Sequence, residues 1–398
     1  MNGWSGSATR LPKNTDRPAV SAVFGSRPDR PNFSQLKKKK FGGGESKKIK
    51  SQGWRVACAK AQRRRGSERQ SRYVSQATHK QMESVIVSIM KIVVTNPSGL
   101  TENHLAELRK LGEVEVYGNT NNDNYAERVQ GAEIAVIDCF LTPVASELLS
   151  KTPDLKFFSI NSTGFDKVDV EAVKNAGIVA SNVPGFSTES VAELAIGLMF
   201  AANRKIAQGD HEFRNGLYEV DPGTPEATRF AGFNLNGKTL GVIGLGNIGT
   251  RITEIGKGIG MNVIGYNRTD KDLPDVKTVS LEELTSQADV AVLSLALNDQ
   301  TKDIITKEHI GNMKKSAIFV SIAGLGLVDQ KALIEALNND LIAGAAIDTA
   351  DADFIDVKNT VLTPHIGYDT RESDENMGRI ILENIQAYTN GSPINQIA

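Results

Sequence analysis

The chain has 398 residues and is nearly neutral overall, with 46 Lys+Arg against 47 Asp+Glu, but residues 1–89 hold 20 Lys+Arg against 5 Asp+Glu whereas residues 90–398 hold 26 against 42. Such asymmetry marks a basic tail appended to an acidic globular part rather than one uniform fold. Two cysteines, Cys58 and Cys139, argue against a disulfide framework and fit a reducing compartment; five histidines without ligand spacing predict no metal site; and no apolar run approaches the roughly 20 residues that span a bilayer.

Residues 1–89 combine Lys37–Lys40, Gly42–Gly44 and Arg63–Arg65 with scattered Ser and Pro, and they lack apolar periodicity, which predicts a disordered basic tail. The stretch reads three ways: as an organellar transit segment, as a polyanion-binding tail, or as residues outside the mature protein, whose natural start would be Met90. The first reading implies an organelle, and the protein is otherwise expected in the cytoplasm, with nucleic acid an unfavoured partner. From Met90 strand and helix patterns alternate. Strands are expected at 91–95, 113–117, 134–137, 156–160 and 178–180, with helices at 101–111, 142–149 and 169–175. A longer apolar helix at 187–205 leads into a second part. There the strands fall at 239–243, 261–266, 290–295, 317–322, 342–347 and 361–363, with helices at 247–261, 281–286, 330–338 and 371–388. This alternation predicts a doubly wound α/β architecture.

Residues 239–249 organise the second part. An apolar strand runs into Gly244-Leu245-Gly246-Asn247-Ile248-Gly249, and a helix with Ile248, Ile252, Ile255 and Ile259 at helical spacing follows. A G-x-G-x-x-G between strand and helix is what a dinucleotide site needs: one glycine for the tight turn, one for close approach of the pyrophosphate, one for helix–strand packing. Asn247 and Ile248 open the helix whose N-terminus would meet the pyrophosphate. At the end of the next strand, where a ribose-reading carboxylate belongs in an NAD site, stand neutral Asn267 and cationic Arg268. That pair leans toward NADP over NAD.

Five further stretches join the glycine motif: Ser162-Thr163-Gly164-Phe165-Asp166, Asn182-Val183-Pro184 with Ser190-Val191-Ala192-Glu193, Leu327-Val328-Asp329, and Thr363-Pro364-His365-Ile366-Gly367. Together they resemble the D-isomer-specific 2-hydroxyacid dehydrogenases over about residues 91–395, and within that family the hydroxypyruvate/glyoxylate reductases. The resemblance implies a Rossmann dinucleotide-binding domain, 187–363, inserted into a smaller flavodoxin-like α/β substrate domain made of 90–186 and 364–398. It implies hydride transfer between NADP or NAD and a small 2-keto or 2-hydroxy acid, and a homodimer with the helix at 187–205 in its interface. By the same resemblance His365 is the general acid/base and Asp351 its orienting carboxylate, while Ser162, Thr163 and Gly164 cradle the substrate carboxylate. Cofactor contacts then fall on Gly244, Gly246, Asn247, Ile248, Gly249, Asn267, Arg268, Thr301, Ile322, Asp348 and Gly367.

The chain departs from the family at two positions. Gly324, in Ser321-Ile322-Ala323-Gly324, stands where an arginine ordinarily anchors the substrate carboxylate, and Asp351 stands in place of a glutamate. Arginine holds a carboxylate through two parallel bonds and stays charged, which glycine cannot do. Two functions are therefore expected to compete: a 2-keto acid reductase, and a dinucleotide-binding protein with weak or no turnover that acts as a sensor or partner subunit. Arg371, Lys314 and Lys315 are the cations to consider as replacements, Arg371 at the start of the last helix and the two lysines at the far end of their strand.

Overall fold

The computed structural model describes residues 90–217, 224–269 and 271–398. The basic tail, 1–89, on which the expectation of disorder falls, lies outside the described residues.

Two parallel sheets carry the fold. The first has strands β1 (Lys91–Val94), β2 (Glu113–Val116), β3 (Ile134–Ile137), β4 (Phe157–Ile160) and β5 (Val179–Ser181), in the order β2-β1-β3-β4-β5. The order reverses between β1 and β3, as in flavodoxin-like sheets. Helices α1 (Glu102–Leu108), α2 (Tyr125–Val129), α3 (Ser146–Ser150) and α4 (Val170–Asn175) make the crossovers. Alternate strand residues serve opposite faces. Val93, Ala135, Ile137, Phe158 and Ile160 pack on one side, while Ile92, Val94, Ile134, Val136 and Phe157 pack on the other. Both faces being covered explains why these strands read as unbroken apolar runs.

The chain then passes through α5 (Thr188–Asn203) and α6 (Ile206–Arg214) into a seven-stranded sheet. Its strands are β6 (Thr239–Ile243), β7 (Asn262–Tyr266), β8 (Lys277–Thr278), β9 (Val290–Leu293), β10 (Ile318–Ser321), β11 (Gly344–Ile347) and β12 (Thr360–Leu362), in the order β12-β11-β10-β9-β6-β7-β8. The reversal lies between β6 and β9, and the crevice outside the carboxyl ends at such a point is where doubly wound sheets take ligands. Helix α7 (Asn247–Gly258) follows β6, with α8 (Leu281–Gln287), α9 (Lys307–Gly311) and α10 (Gln330–Asn338) further along. The apolar face of α5, Ala192, Ala195 and Met199, packs against Leu240, Val242, Val290, Val292 and Val320 of this sheet.

The last helix, α11 (Arg371–Thr389), returns to the first sheet. Met377, Ile380, Ile381 and Ile385 pack with Phe157, and the Tyr388 ring stacks on Phe157 at 4.5 Å. Gln396 then bridges antiparallel to Ser181.

The expected strands are all present, and the expected helices are present with shifted ends. The helix expected at 142–149 begins only at Ser146, because Val144 is extended and bridges to Val168. Three helices and one strand went unread. α2 and α9 have five residues each, too short to show a period; β8 has two; and α6 buries no residue, so it carries no core-facing stripe.

Candidate active site

Each glycine of the loop after β6 has its own steric reason. Gly244 sits at φ +99°, and a Cβ there would lie 2.8 Å from Leu295 Cδ2. A Cβ on Gly249 would collide with the carbonyl oxygen of Gly244, so this glycine sets the closeness of α7 to the loop. Gly246 is extended and exposed, a Cβ there would meet nothing within 4 Å, and it precedes α7 without a side-chain cap. The first turn of α7 therefore offers unclaimed N–H groups and an open approach, which fits a dinucleotide pyrophosphate. Asn247 is exposed at this opening, 3.6 Å from where a Cβ on Gly185 would stand, and Ile248 packs partly into the core beneath.

The end of β7 closes one side of the loop. The Leu245 N–H donates to Asn267 Oδ1 at 3.2 Å, and Asn267 Nδ2 donates to the Thr269 carbonyl at 2.8 Å. Arg268 donates to Gln300, and Lys271 reaches over to donate to the Leu245 carbonyl at 2.6 Å. Lys271 was not singled out from sequence, where it stands between Asp270 and Asp272. Ser294 was missed as well; its hydroxyl donates to the Gly244 carbonyl at 2.8 Å and so pins the turn from β9. Thr301 donates to the Ala296 carbonyl at 2.7 Å and accepts from the Asn298 N–H at 2.8 Å, which shapes the 296–301 loop.

On the first sheet, the loop after β4 holds Ser162, Thr163 and Gly164. The Ser162 hydroxyl donates to the Gly164 carbonyl at 2.7 Å and lies 3.4 Å from Cys139 Sγ. Burial pushes the Cys139 thiol up, so it stays protonated beside this loop. The Thr163 hydroxyl donates to the Val183 carbonyl at 2.9 Å. The three backbone N–H groups of Ser162–Gly164 make no hydrogen bond among the described residues, so they are available to an anion.

His365 follows β12 in the left-handed region, φ +56°. Its ring is exposed, stands edge-on to Tyr368 at 5.4 Å, and makes no hydrogen bond or ion pair among the described residues. Thr349 bridges Pro364, which sets the segment leading to Asp351 beside the residue preceding His365. The Asp351 carboxylate accepts from the Asp353 N–H at 3.1 Å, capping a short 3₁₀ turn at Ala352–Phe354, and no hydrogen bond joins it to His365. Asp348 is 2 % exposed and its carboxylate is bonded into the turn that carries His365. Gly367 is buried in that turn, where a Cβ would also approach Leu194 and Val191 of α5 at 3.4 and 3.5 Å. α5 thus touches the histidine turn, and through Glu189 it pairs with Arg251 of α7 at 2.7 Å.

Gly324 starts a 3₁₀ turn at Leu325–Leu327 with φ −62° and ψ 144°, an ordinary extended conformation, and a Cβ there would meet nothing within 4 Å. Ile322, just before it, donates its N–H to the Leu293 carbonyl at 3.2 Å. Arg371 is exposed at the first residue of α11, without an ion pair among the described residues. Lys314 lies at the opposite end of its strand, paired to Asp289 at 2.9 Å. No group of residues that could hold a metal ion occurs among the described residues, and no described helix is long and apolar enough to cross a membrane.

Comparison with known proteins gives one consistent result. Residues 196–367 match the model of the D-isomer specific 2-hydroxyacid dehydrogenase, NAD binding domain. The chain is 37 % identical over 314 residues to D-3-phosphoglycerate dehydrogenase of Methanocaldococcus jannaschii, covering 76 % of this chain but 58 % of that enzyme. It is 31 % identical to glyoxylate reductase of Thermococcus litoralis, covering 76 % of this chain and 94 % of that enzyme. Among solved structures, an acyclic imino acid reductase in complex with NADPH and D-Arg superposes with a TM-score of 0.71 at 31 % identity, covering 78 % of this chain and all of the other.

Proposed function

We propose, from the premise that this chain belongs to the D-isomer specific 2-hydroxyacid dehydrogenase family, that it is an NAD(P)-dependent oxidoreductase acting on small 2-keto acids of the glyoxylate and hydroxypyruvate class. The reading is carried by one juxtaposition: an exposed, unbonded histidine beside a sheet whose central loop is shaped for a dinucleotide. The relatives support the reductase over the sensor without turnover that Gly324 suggested. In this reading the chain divides into a substrate part, 90–186 with 364–398, and a dinucleotide part, 187–363.

A dinucleotide held by the Gly244–Gly249 loop would supply the hydride. The free N–H groups of Ser162–Gly164 bind the substrate carboxylate and turn the keto group toward His365. His365 gives its proton to the carbonyl oxygen as the carbonyl carbon is reduced, so the 2-keto acid gains one hydride and one proton and leaves as the 2-hydroxy acid. Asp351 is the proposed carboxylate partner of the imidazole, supported by the Thr349–Pro364 bridge that sets its segment alongside. Arg268 and Lys271 stand at the ribose end of the glycine loop, and the residue that directly follows β7 and bonds the loop is the neutral Asn267, which favours the 2′-phosphate of NADP. Exposed Phe200 on α5 and Ile206 at the start of α6 support a homodimer through the α5 region.

The test is the oxidation rate of NADPH and NADH with glyoxylate and hydroxypyruvate, for the unaltered protein and His365→Asn. We expect measurable turnover that prefers NADPH, and a fall of about 10²–10⁴ in kcat for His365→Asn with cofactor binding retained. NADPH binding without oxidation by either acid would return the sensor reading.

A further inference from the structure

We propose that Asp348 is the positioning residue of His365: its buried carboxylate holds the Thr363–Gly367 turn in the one shape that presents the imidazole. The proposal rests on the reading of His365 as proton donor.

The Asp348 carboxylate accepts from the Thr363 hydroxyl at 2.7 Å, from the Ile366 N–H at 3.0 Å and from the Gly367 N–H at 3.0 Å. Its backbone carbonyl accepts from the His365 N–H. Four bonds from one residue therefore converge on a single five-residue turn. The turn needs them. A side chain with a Cβ is disfavoured in the left-handed region that His365 occupies, and the ring has no polar partner of its own among the described residues. Asp348 is itself anchored, since it directly follows β11 and donates its N–H to the Ser321 carbonyl at 2.9 Å at the end of β10. The histidine is thus fixed to the rigid sheet through a carboxylate, not to the loop around it.

Charge is what makes the strut stiff. A carboxylate buried this deeply is tolerated only when its lone pairs are filled, and charge-assisted bonds are roughly twice as strong as neutral ones. It offers about four acceptor positions, of which the turn uses three. The fourth stays available for a cofactor amide, so the positioning role adds to the cofactor contact implied by resemblance and does not displace it.

The experiment separates kcat from cofactor affinity. Thr363→Val removes one donor while keeping the side-chain shape. Gly367→Ala places a Cβ 2.9 Å from Asp348 Oδ2 and pushes the carboxylate off the turn. Asp348→Asn turns an amide donor toward donors. We expect kcat for 2-keto acid reduction to fall about tenfold in Thr363→Val and Gly367→Ala and about 10²-fold in Asp348→Asn, the scale of a small misplacement of a reacting group. The Kd for NADPH and the Tm of Thr363→Val should stay near the unaltered values. Thr363→Val with kcat within twofold of the unaltered protein, or with its whole loss in Kd or KM, overturns the positioning role. Full activity in His365→Asn overturns the reading beneath it, whereas an inactive His365→Asn beside fully active Thr363→Val and Asp348→Asn overturns the positioning role alone.

Discussion

At Gly249 a Cβ would collide with the backbone of Gly244, whereas at Gly324, in a loop at the same carboxyl edge of the sheet, a Cβ would meet nothing within 4 Å. The two glycines look alike in sequence and differ in kind. The first is required by packing, because α7 approaches its own preceding turn too closely for any side chain. The second is permitted by its surroundings and required by nothing among them. The cofactor side of the molecule is over-determined, with Gly244, Gly249, Ser294 and Asn267 each fixing the same loop. The proposed substrate side has open space at Gly324, where the family resemblance expects a cation.

The sharpest way to test that contrast is to fill that space. Gly324→Arg has allowed backbone geometry and open space, so it should fold with unchanged Tm and raise kcat/KM for glyoxylate by roughly 10²-fold, the scale of one well-placed electrostatic donor. Steady-state kinetics checks this, and no gain would show that the carboxylate is already anchored elsewhere. The opposite substitution, Gly249→Ala, should cost about 1–3 kcal/mol of stability by overpacking and weaken NADPH binding with it. Thermal melts with and without NADPH read both effects; an unchanged melt would mean that the loop is softer than its contacts suggest.

Arg268→Asp should shift cofactor preference from NADPH toward NADH by about tenfold, as a carboxylate repels the 2′-phosphate and accepts from the ribose hydroxyl. Paired kcat/KM values check it. The smallest effect belongs to the amino end of the same sheet, where Asp289 accepts from the Thr239 N–H at 2.8 Å and pairs with Lys314. Burial raises the Asp289 carboxyl, but the Thr239 N–H and Lys314 together outweigh it and leave it below the usual carboxylate range. A carboxyl depressed on folding contributes stability above its unfolded value, near 3.9, and loses it as pH falls through the folded value. Asp289→Asn should therefore cost about 1–2 kcal/mol near pH 7, and the gap from the unaltered protein should close below about pH 3.9. Denaturant melts across pH check both the size and the sign.

Much of the fold is legible in the chain because each strand is buried on both faces and reads as an apolar run, as at Ile134–Ile137 and Val290–Leu293. The glycine loop is legible for a related reason, since its constraint lies between neighbours in sequence. Short helices such as Tyr125–Val129 were not, for one turn and a half shows no period. Lys271 and Ser294 were not, because their bonds to the glycine loop are made across 26 and 50 residues.

By itself the sequence determined a doubly wound α/β chain with a dinucleotide turn, and a histidine after an apolar strand, because period, glycine spacing and local order are properties of neighbours. Only the tertiary structure decided that Gly324 opens onto free space, that Asp351 caps a turn, and that Asp348 carries the His365 turn. The donors that fill the Asp348 carboxylate come from 15 to 19 residues away, and whether a buried charge is satisfied depends on which chain segments the sheet sets side by side.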